Sequence, residues 1–366
     1  RRRRGPQGED LRARDAAVGV SPGAAVERAE DRLREGLERF IARRSGAPAA
    51  VVGWVRLPGG TLRDAWGIDA RIDAGPFAGP HRLVYLQDRG AGPLESRLRR
   101  EDEFRVLAVM HAAGVRAPRP YWHVPRDDPE GLGSGLILER VDGEAVGRRI
   151  LEDRAFEAVR PRVLEQMGEE LARIHAVPCD AVTGLPAPPD GKGAPEAGLD
   201  EVERTLREVE EPHPALELAL RWLRPRMPAP QRLVVSHGDY RLGNVIVHPS
   251  EGLRAVLDWE LAHLGDPGED LGWACIRFWQ GVDQPGRPGL GPKQRFLDGY
   301  AKVAGWRLAP EMAVYWEVFA NLWWAVITLR QARRHLTGRE RSLELASIGR
   351  RCAEVEWELL RLIRVA

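Results

Sequence analysis

Asp239 stands two residues after His237 and five before Asn244, in the run Ser236-His237-Gly238-Asp239-Tyr240-Arg241-Leu242-Gly243-Asn244. A carboxylate placed in such a loop can take the proton of an attacking hydroxyl. The asparagine carbonyl oxygen, neutral and hard, suits one face of a divalent cation such as Mg²⁺. Fourteen residues beyond Asn244, the apolar run Val256-Leu257 ends in Asp258-Trp259-Glu260, so a strand delivers a second carboxylate at its tip and can hold a metal rigidly. Gly238 and Gly243 would let the loop turn sharply, so that both side chains face one cleft. Base, neutral oxygen and strand-end carboxylate together fit in-line phosphoryl transfer from a nucleotide better than hydrolysis by an activated water. The plainer alternative is an exposed Asx turn before a strand end, and the apolar strands flanking the loop argue against it. His237 is expected to pack and hydrogen-bond rather than react, and Asp270 to cap a helix beginning at Leu271.

Placing these groups requires a scaffold. Val26, Leu33, Leu37, Phe40 and Ile41 recur at helical spacing between Ala24 and Arg44. Three strand-like runs follow, Ala50 to Leu57, Ala65 to Ile72 and Arg82 to Gln87, separated by Pro58-Gly59-Gly60 and Gly75-Pro76. A second helix is expected over Leu94 to Ala113, then strands over Arg119 to Val124 and Gly135 to Val141. That order describes a small α+β lobe over residues 23–141. From Arg148 onward helical patterns dominate, broken by a Pro/Gly-rich stretch from Val182 to Gly198 that reads as an exposed loop or linker. Short β runs carry the chemistry, over the loop 236–248 and the strand 254–260, and helices fill 295–366. Residues 1–22 read as a solvated tail.

Composition narrows the class. Charged residues are 30% of the chain and hydrophobic ones 43%, with a net charge of +1. No global field draws the chain to nucleic acid or a membrane surface. Cys179, Cys275 and Cys352 are far apart, without a zinc or disulfide pattern, which fits a reducing cytoplasm. The most apolar stretch, Tyr315 to Leu329, contains Glu317 and Asn321 and is shorter than a membrane span, so it is expected as a buried helix. Lysine occurs only at 192, 293 and 302, so any earlier cationic site must use arginine.

The runs HGDYRLGNV and VLDWELAHLGDPGEDLGW resemble the signature of the aminoglycoside-phosphotransferase and choline-kinase-like superfamily. Within it the chain is most similar to the phosphotransferase members that occur beside, or fused to, acyl-CoA dehydrogenases. The resemblance implies a protein-kinase-like two-lobed fold, with an antiparallel-sheet N-terminal lobe carrying one main helix and a larger, mostly helical C-terminal lobe. It implies Asp239 as base, Asn244 and Asp258 as Mg²⁺ ligands, and ATP, or alternatively GTP, as donor to a small-molecule hydroxyl. Gly59 and Gly60 match a phosphate-covering turn, although a plain hairpin turn is an equal reading. The backbone of Glu139-Arg140-Val141 would meet the adenine edge, and Glu103 would anchor a cation beneath the phosphates. The third strand, where the family places arginine or lysine, reads Leu83-Val84-Tyr85-Leu86-Gln87-Asp88 and lacks that cation. Gln87, Arg82 or Arg89 would have to substitute, or the chain would be a pseudokinase-like binding protein. Arg241 and Asp270 would support the site, and Glu317, Asn321 and Trp324 would face the acceptor. Residues 295–366 hold 12 Lys/Arg against 8 Asp/Glu, which favours a neutral or anionic metabolite, such as a hydroxyacyl compound, over a polycationic aminoglycoside.

Overall fold

A computed structural model describes residues 22–57, 63–88, 98–230, 232–283, 286 and 289–365. The turn containing Gly59 and Gly60, together with Arg89 and the tail, lies outside the described residues.

The N-terminal part is one antiparallel sheet. Strands β1 (Ala49–Leu57), β2 (Arg63–Ile72), β3 (Gly79–Asp88), β4 (Pro120–Val124) and β5 (Gly135–Glu139) pair in the order β1-β2-β3-β5-β4. Pleating sends alternate side chains to opposite faces, and this chain uses both. Trp66, Ile68, Ala70 and Ile72 of β2, with Leu83 and Tyr85 of β3, bury against Leu37, Phe40 and Ile41 of α1 (Pro22–Ser45). The opposite parity, Leu86 with Leu136 and Leu138, joins a second core with α2 (Arg100–Ala112) and the rest of the chain.

Beyond Glu139 come α3 (Gly147–Glu152), α4 (Arg160–His175), α5 (Ala194–Arg207), α6 (Pro214–Leu223), α7 (Pro267–Ala274), α8 (Lys293–Ala304), α9 (Pro310–Leu336), α10 (Leu343–Gly349) and α11 (Cys352–Val365). Between α6 and α7 lie β6 (Val234–Ser236) paired with β9 (His263–Gly265), and the hairpin β7 (Val245–His248) with β8 (Gly252–Val256). The loop between β6 and β7 carries Asp239 and Asn244, and Asp258 follows β8.

α9 is long and apolar enough to cross a membrane by composition, yet most of its apolar window is buried in the protein, as a core helix would be. α7 crosses it closely: a Cβ at Gly268 or Gly272 would collide with Trp316. Two expectations need correction here. The stretch Val182 to Gly198 is an exposed loop only as far as Gly193, where Pro186 to Pro189 line the central cavity and the Pro186 carbonyl accepts the Leu264 backbone N–H at 2.8 Å; from Ala194 it is α5. Asp270 does not cap α7. That role belongs to Asp266, whose side chain accepts from Gly268 N–H while Glu269 returns to the Asp266 N–H, a capping box that places Asp270 inside the helix.

Candidate active site

Asp270 is buried and holds the loop that bears Asp239. Its carboxylate accepts the backbone N–H of His237 at 2.7 Å, that of Gly238 at 2.9 Å and the His175 Nε2–H at 3.0 Å, while His175 Nδ1 accepts from the Tyr300 hydroxyl at 2.9 Å. Burial alone would raise the Asp270 carboxyl, but His175 and His237 prevail and hold it below the usual range. His237 donates Nε2–H to the Leu257 carbonyl at 2.8 Å and receives the Asp239 N–H on Nδ1 at 3.2 Å. Those two bonds fix a neutral tautomer, and burial lowers the ring's pKa. His237 thereby pins the loop to the residue before Asp258. Gly238 has φ of +81°, and a side chain there would strike the Leu261 carbonyl. Gly243 has no such φ. Its absent side chain leaves room for the Arg241 guanidinium.

Three side chains fix the Asp239 carboxylate. Arg241 Nε reaches Oδ1 at 2.9 Å and Oδ2 at 3.1 Å, Trp273 Nε1 donates to Oδ1 at 2.8 Å, and Asn244 Nδ2 donates to Oδ2 at 2.6 Å. Asn244 Nδ2 also donates to the Asp239 carbonyl at 2.9 Å, so its amide oxygen is the atom turned to other uses. Asp258 adopts left-handed backbone angles, φ 60° and ψ 64°, uncommon for a residue with a side chain. Such strain persists where surrounding structure enforces it, typically at functional sites. Its carboxylate is open to the cavity and accepts no hydrogen bond from a described residue. Enclosure by the protein raises its pKa; Arg63 opposes this, and Asp239 and Glu103 add to it. Both the Asn244 amide oxygen and the Asp258 carboxylate are hard donors of the type that suits Mg²⁺; Asp258 borders the cavity, whereas Asn244 is buried behind it.

Asp239, Asp258 and Arg241 share a cavity of about 1290 Å³. Residues 26–308 match the phosphotransferase enzyme family. The chain belongs to that family. Among solved structures, the chain shares its fold with a candidate aminoglycoside phosphotransferase from Ralstonia eutropha JMP134, with a TM-score of 0.67 and 23% identity, covering 89% of this chain and 98% of that one. A choline/ethanolamine kinase family protein from Mesorhizobium loti matches with a TM-score of 0.57 and 18% identity, covering 92% and 98% of the two chains. Both are kinase-like α+β folds. Curated relatives include mouse acyl-CoA dehydrogenase family member 10, 30% identical over 54% of this chain and 18% of the relative. Chicken acyl-CoA dehydrogenase family member 11 is 27% identical over 72% of this chain and 33% of the relative. The chain thus spans a third or less of the length of these relatives.

Other residues singled out from sequence are placed as follows. Glu103 is buried on α2, where Arg63 forks onto it, Nη1 to Oε1 at 3.0 Å and Nη2 to Oε2 at 2.9 Å. Gln87 has the parity of Leu83 and Tyr85 and donates to the Leu132 carbonyl at 2.7 Å on the α1 side, so it is not in the cleft. Arg82 pairs with Asp142 at 2.5 Å on the exposed side. Glu139 and Val141 lie in the connection between the lobes. The Glu139 N–H is taken by the Arg119 carbonyl, and the Val141 N–H has no partner among the described residues. Trp324 lines the cavity, but Glu317 and Asn321 do not. Glu317 is buried against Lys293 of α8 at 2.8 Å, and Asn321 donates back to the Glu317 carbonyl. The physical reason is that α7 packs on the first half of α9, where Lys293 also reaches Glu317, and the helix borders the cavity only from Phe319 onward.

Sequence reasoning missed Arg63, Glu260, Trp273 and Trp279 as cavity residues. Trp273, Phe278, Trp279 and Trp324 form one aromatic wall, with Trp279 and Trp324 at 4.7 Å, and Arg241 stacks over Trp279 at 4.7 Å. Away from the cavity, His213, Cys352 and Glu356 bring ligand-type atoms within 4.8 Å of one another. His213 Nδ1 already hydrogen-bonds Glu356 at 2.9 Å, a tie between the start of α6 and α11.

Proposed function

We propose that the chain moves the γ-phosphoryl group of Mg²⁺-ATP, or of GTP, onto a hydroxyl of a small molecule. The observation that supports it best is Asp258: a strained backbone presents an unpartnered carboxylate to the cavity that Asp239 borders. In the reaction, the acceptor O–H proton passes to Asp239 as the acceptor oxygen bonds to the γ-phosphorus. The bond from that phosphorus to its bridging oxygen breaks, and the nucleoside diphosphate departs with the electron pair. Asn244 and Asp258 would hold Mg²⁺, which supplies neutralisation of the phosphate charge. A carboxylate offers about four acceptor sites, and the donors on Asp239 fill most of them. Displacement of Arg241 toward an arriving phosphate would free a site for the acceptor hydroxyl. The unpartnered Val141 N–H suits the adenine edge.

For the acceptor we favour a neutral or anionic hydroxyl compound with an apolar body, such as a hydroxyacyl compound. Supporting this, the cavity face of α9 runs Phe319, Trp323, Trp324, Ile327 and then Arg330, a cation with no ion-pair partner among the described residues. The indole N–H groups of Trp279 and Trp324 are buried without partners and can meet a polar group of the acceptor. The likeness to chains named acyl-CoA dehydrogenases points the same way. The test is a screen of hydroxyl compounds by nucleotide consumption: turnover of hydroxy acids or their thioesters is expected, and turnover of aminoglycosides alone would overturn the choice. Absence of binding to either nucleotide at millimolar concentration would instead favour a binding module.

A further inference from the structure

A polyphosphate needs positive charge from the lobe that covers it, and the third strand supplies none: Leu86 borders the cavity and Gln87 faces away. The described residues of the N-terminal lobe that border the cavity are Arg63, Ala65 and Leu86, so Arg63 is the cation that this lobe brings there. It opens β2 opposite Asp88, one pleat before Ala65, which pairs with Leu86. Its guanidinium is held from both lobes: bidentately by Glu103 of α2, and by Glu260, two residues after Asp258, with Nη2 to Oε2 at 2.5 Å. Arg100 completes the cage, reaching Glu103 at 2.6 Å, Asp88 at 2.8 Å and Glu260 at 3.4 Å.

Two observations separate a binding role from simple packing. First, the cage holds two guanidinium groups against Glu103, Glu260 and Asp88, and its Arg63 side faces the cavity that Asp258 enters. Second, Arg63 leaves donors unused. Its Nε is buried with no hydrogen-bond partner and lies 3.8 Å from Asp88, and one Nη1 hydrogen remains after the Glu103 fork. Glu260, which lines the cavity with 17% of its side chain exposed, is the anion an incoming phosphate would displace, whereas Glu103, at 2%, would stay as anchor.

We propose that Arg63, carried on β2, binds the nucleotide phosphates in place of a third-strand cation, with Glu103 anchoring it and Glu260 standing on it until phosphate arrives. The inference rests on the kinase reading above. A guanidinium is suited to the role because its fork can keep Glu103 and still present edge donors to phosphate oxygens.

The test is calorimetric binding of Mg²⁺-ATP, Mg²⁺-ADP and adenosine to the full chain and to Arg63→Gln, Arg63→Lys, Glu103→Gln and Glu260→Gln, with melting temperatures recorded alongside. Arg63→Gln is expected to weaken both phosphate ligands tenfold or more and to leave adenosine within about twofold, the selectivity a charge-assisted phosphate contact gives. Arg63→Lys should recover part of the loss, Glu103→Gln should resemble Arg63→Gln, and Glu260→Gln should lose no ATP affinity. Equal weakening of ATP and adenosine, or Glu260→Gln weakening ATP as much as Arg63→Gln does, would overturn the inference and leave a structural ion cluster. Wild-type chain that binds no nucleotide removes the kinase reading and this inference together. Wild type that binds Mg²⁺-ATP, with Arg63→Gln binding it equally, removes this inference alone.

Discussion

The central residue is Asp239, and its environment explains why a simple turn would not serve. Arg241, Trp273 and Asn244 fix both carboxylate oxygens, so the group is aimed before any ligand arrives. Asp239→Asn keeps the shape and removes the base. Turnover is expected to fall by roughly 10² to 10⁴ fold with the melting temperature little changed, as for loss of a general base; steady-state kinetics beside thermal melting decide it, and near-wild-type turnover would rule out the role. His237 and Asp270 set an acid limit. His237 is held neutral, with its pKa lowered by burial, whereas in the unfolded chain it takes a proton below about pH 6.5. Stability is therefore lost as pH falls below that value. Asp270, depressed in the fold, contributes above the ordinary carboxyl range and loses its contribution as pH falls through its own lowered pKa. Melting temperature should decline in two stages on acidification, and a flat profile between pH 6.5 and 4.5 would contradict the assignment. The loop was legible in sequence because its members are neighbours in the chain. Asp270 was misread because its partners, His237 and His175, are 33 and 95 residues away, while the cap that displaced it, Asp266 with Glu269, sits next door.

At the scale of elements, small misplacements had large consequences. The sequence pattern starts the second strand at Ala65, whereas β2 starts at Arg63, and those two residues hid the cation. Only the pairing of Arg63 with Asp88, and the packing of α2 beside them, shows which face it takes. β9 has three residues and pairs with β6 across some thirty residues of chain, so no local pattern announces it. For α9 the expected buried helix is present, but Glu317 and Asn321 do not face the cavity, since α7 packs on the half that carries Glu317. The close crossing of α7 and α9 also positions Trp273 against Asp239. A methyl group at Gly272 would meet the Trp316 carbonyl, so Gly272→Ala should destabilise by about 1–3 kcal/mol, the usual range for overpacking. Denaturant unfolding checks this, and an unchanged midpoint would show that the helices separate freely.

Over the whole molecule, the two-lobed kinase-like fold was readable from the order of strands and helices and from the motif pair, and family and structural likeness agree with it. The lobes are joined by more than the connection after Glu139. Arg63 and Arg100 reach Glu260 across the cleft, and Leu98 donates its backbone N–H to the Glu260 carbonyl at 3.2 Å. Glu260 is pushed above the usual carboxyl range by burial, with Arg63 opposing. One residue, Glu260, thereby ties the N-terminal strand β2 and helix α2 to the segment that carries Asp258. Sequence could not show this, because the three partners come from separate segments and meet only once the lobes are apposed.

The most direct measurement is the affinity of wild-type chain and Asp258→Ala for ATP with Mg²⁺ and with the metal chelated. Wild type should bind ATP far better with Mg²⁺ present, and Asp258→Ala should bind it weakly and with no response to the metal. Equal, metal-dependent affinity in both proteins would mean that Asp258 does not hold the ion, and the account of phosphoryl transfer at this cavity would fail.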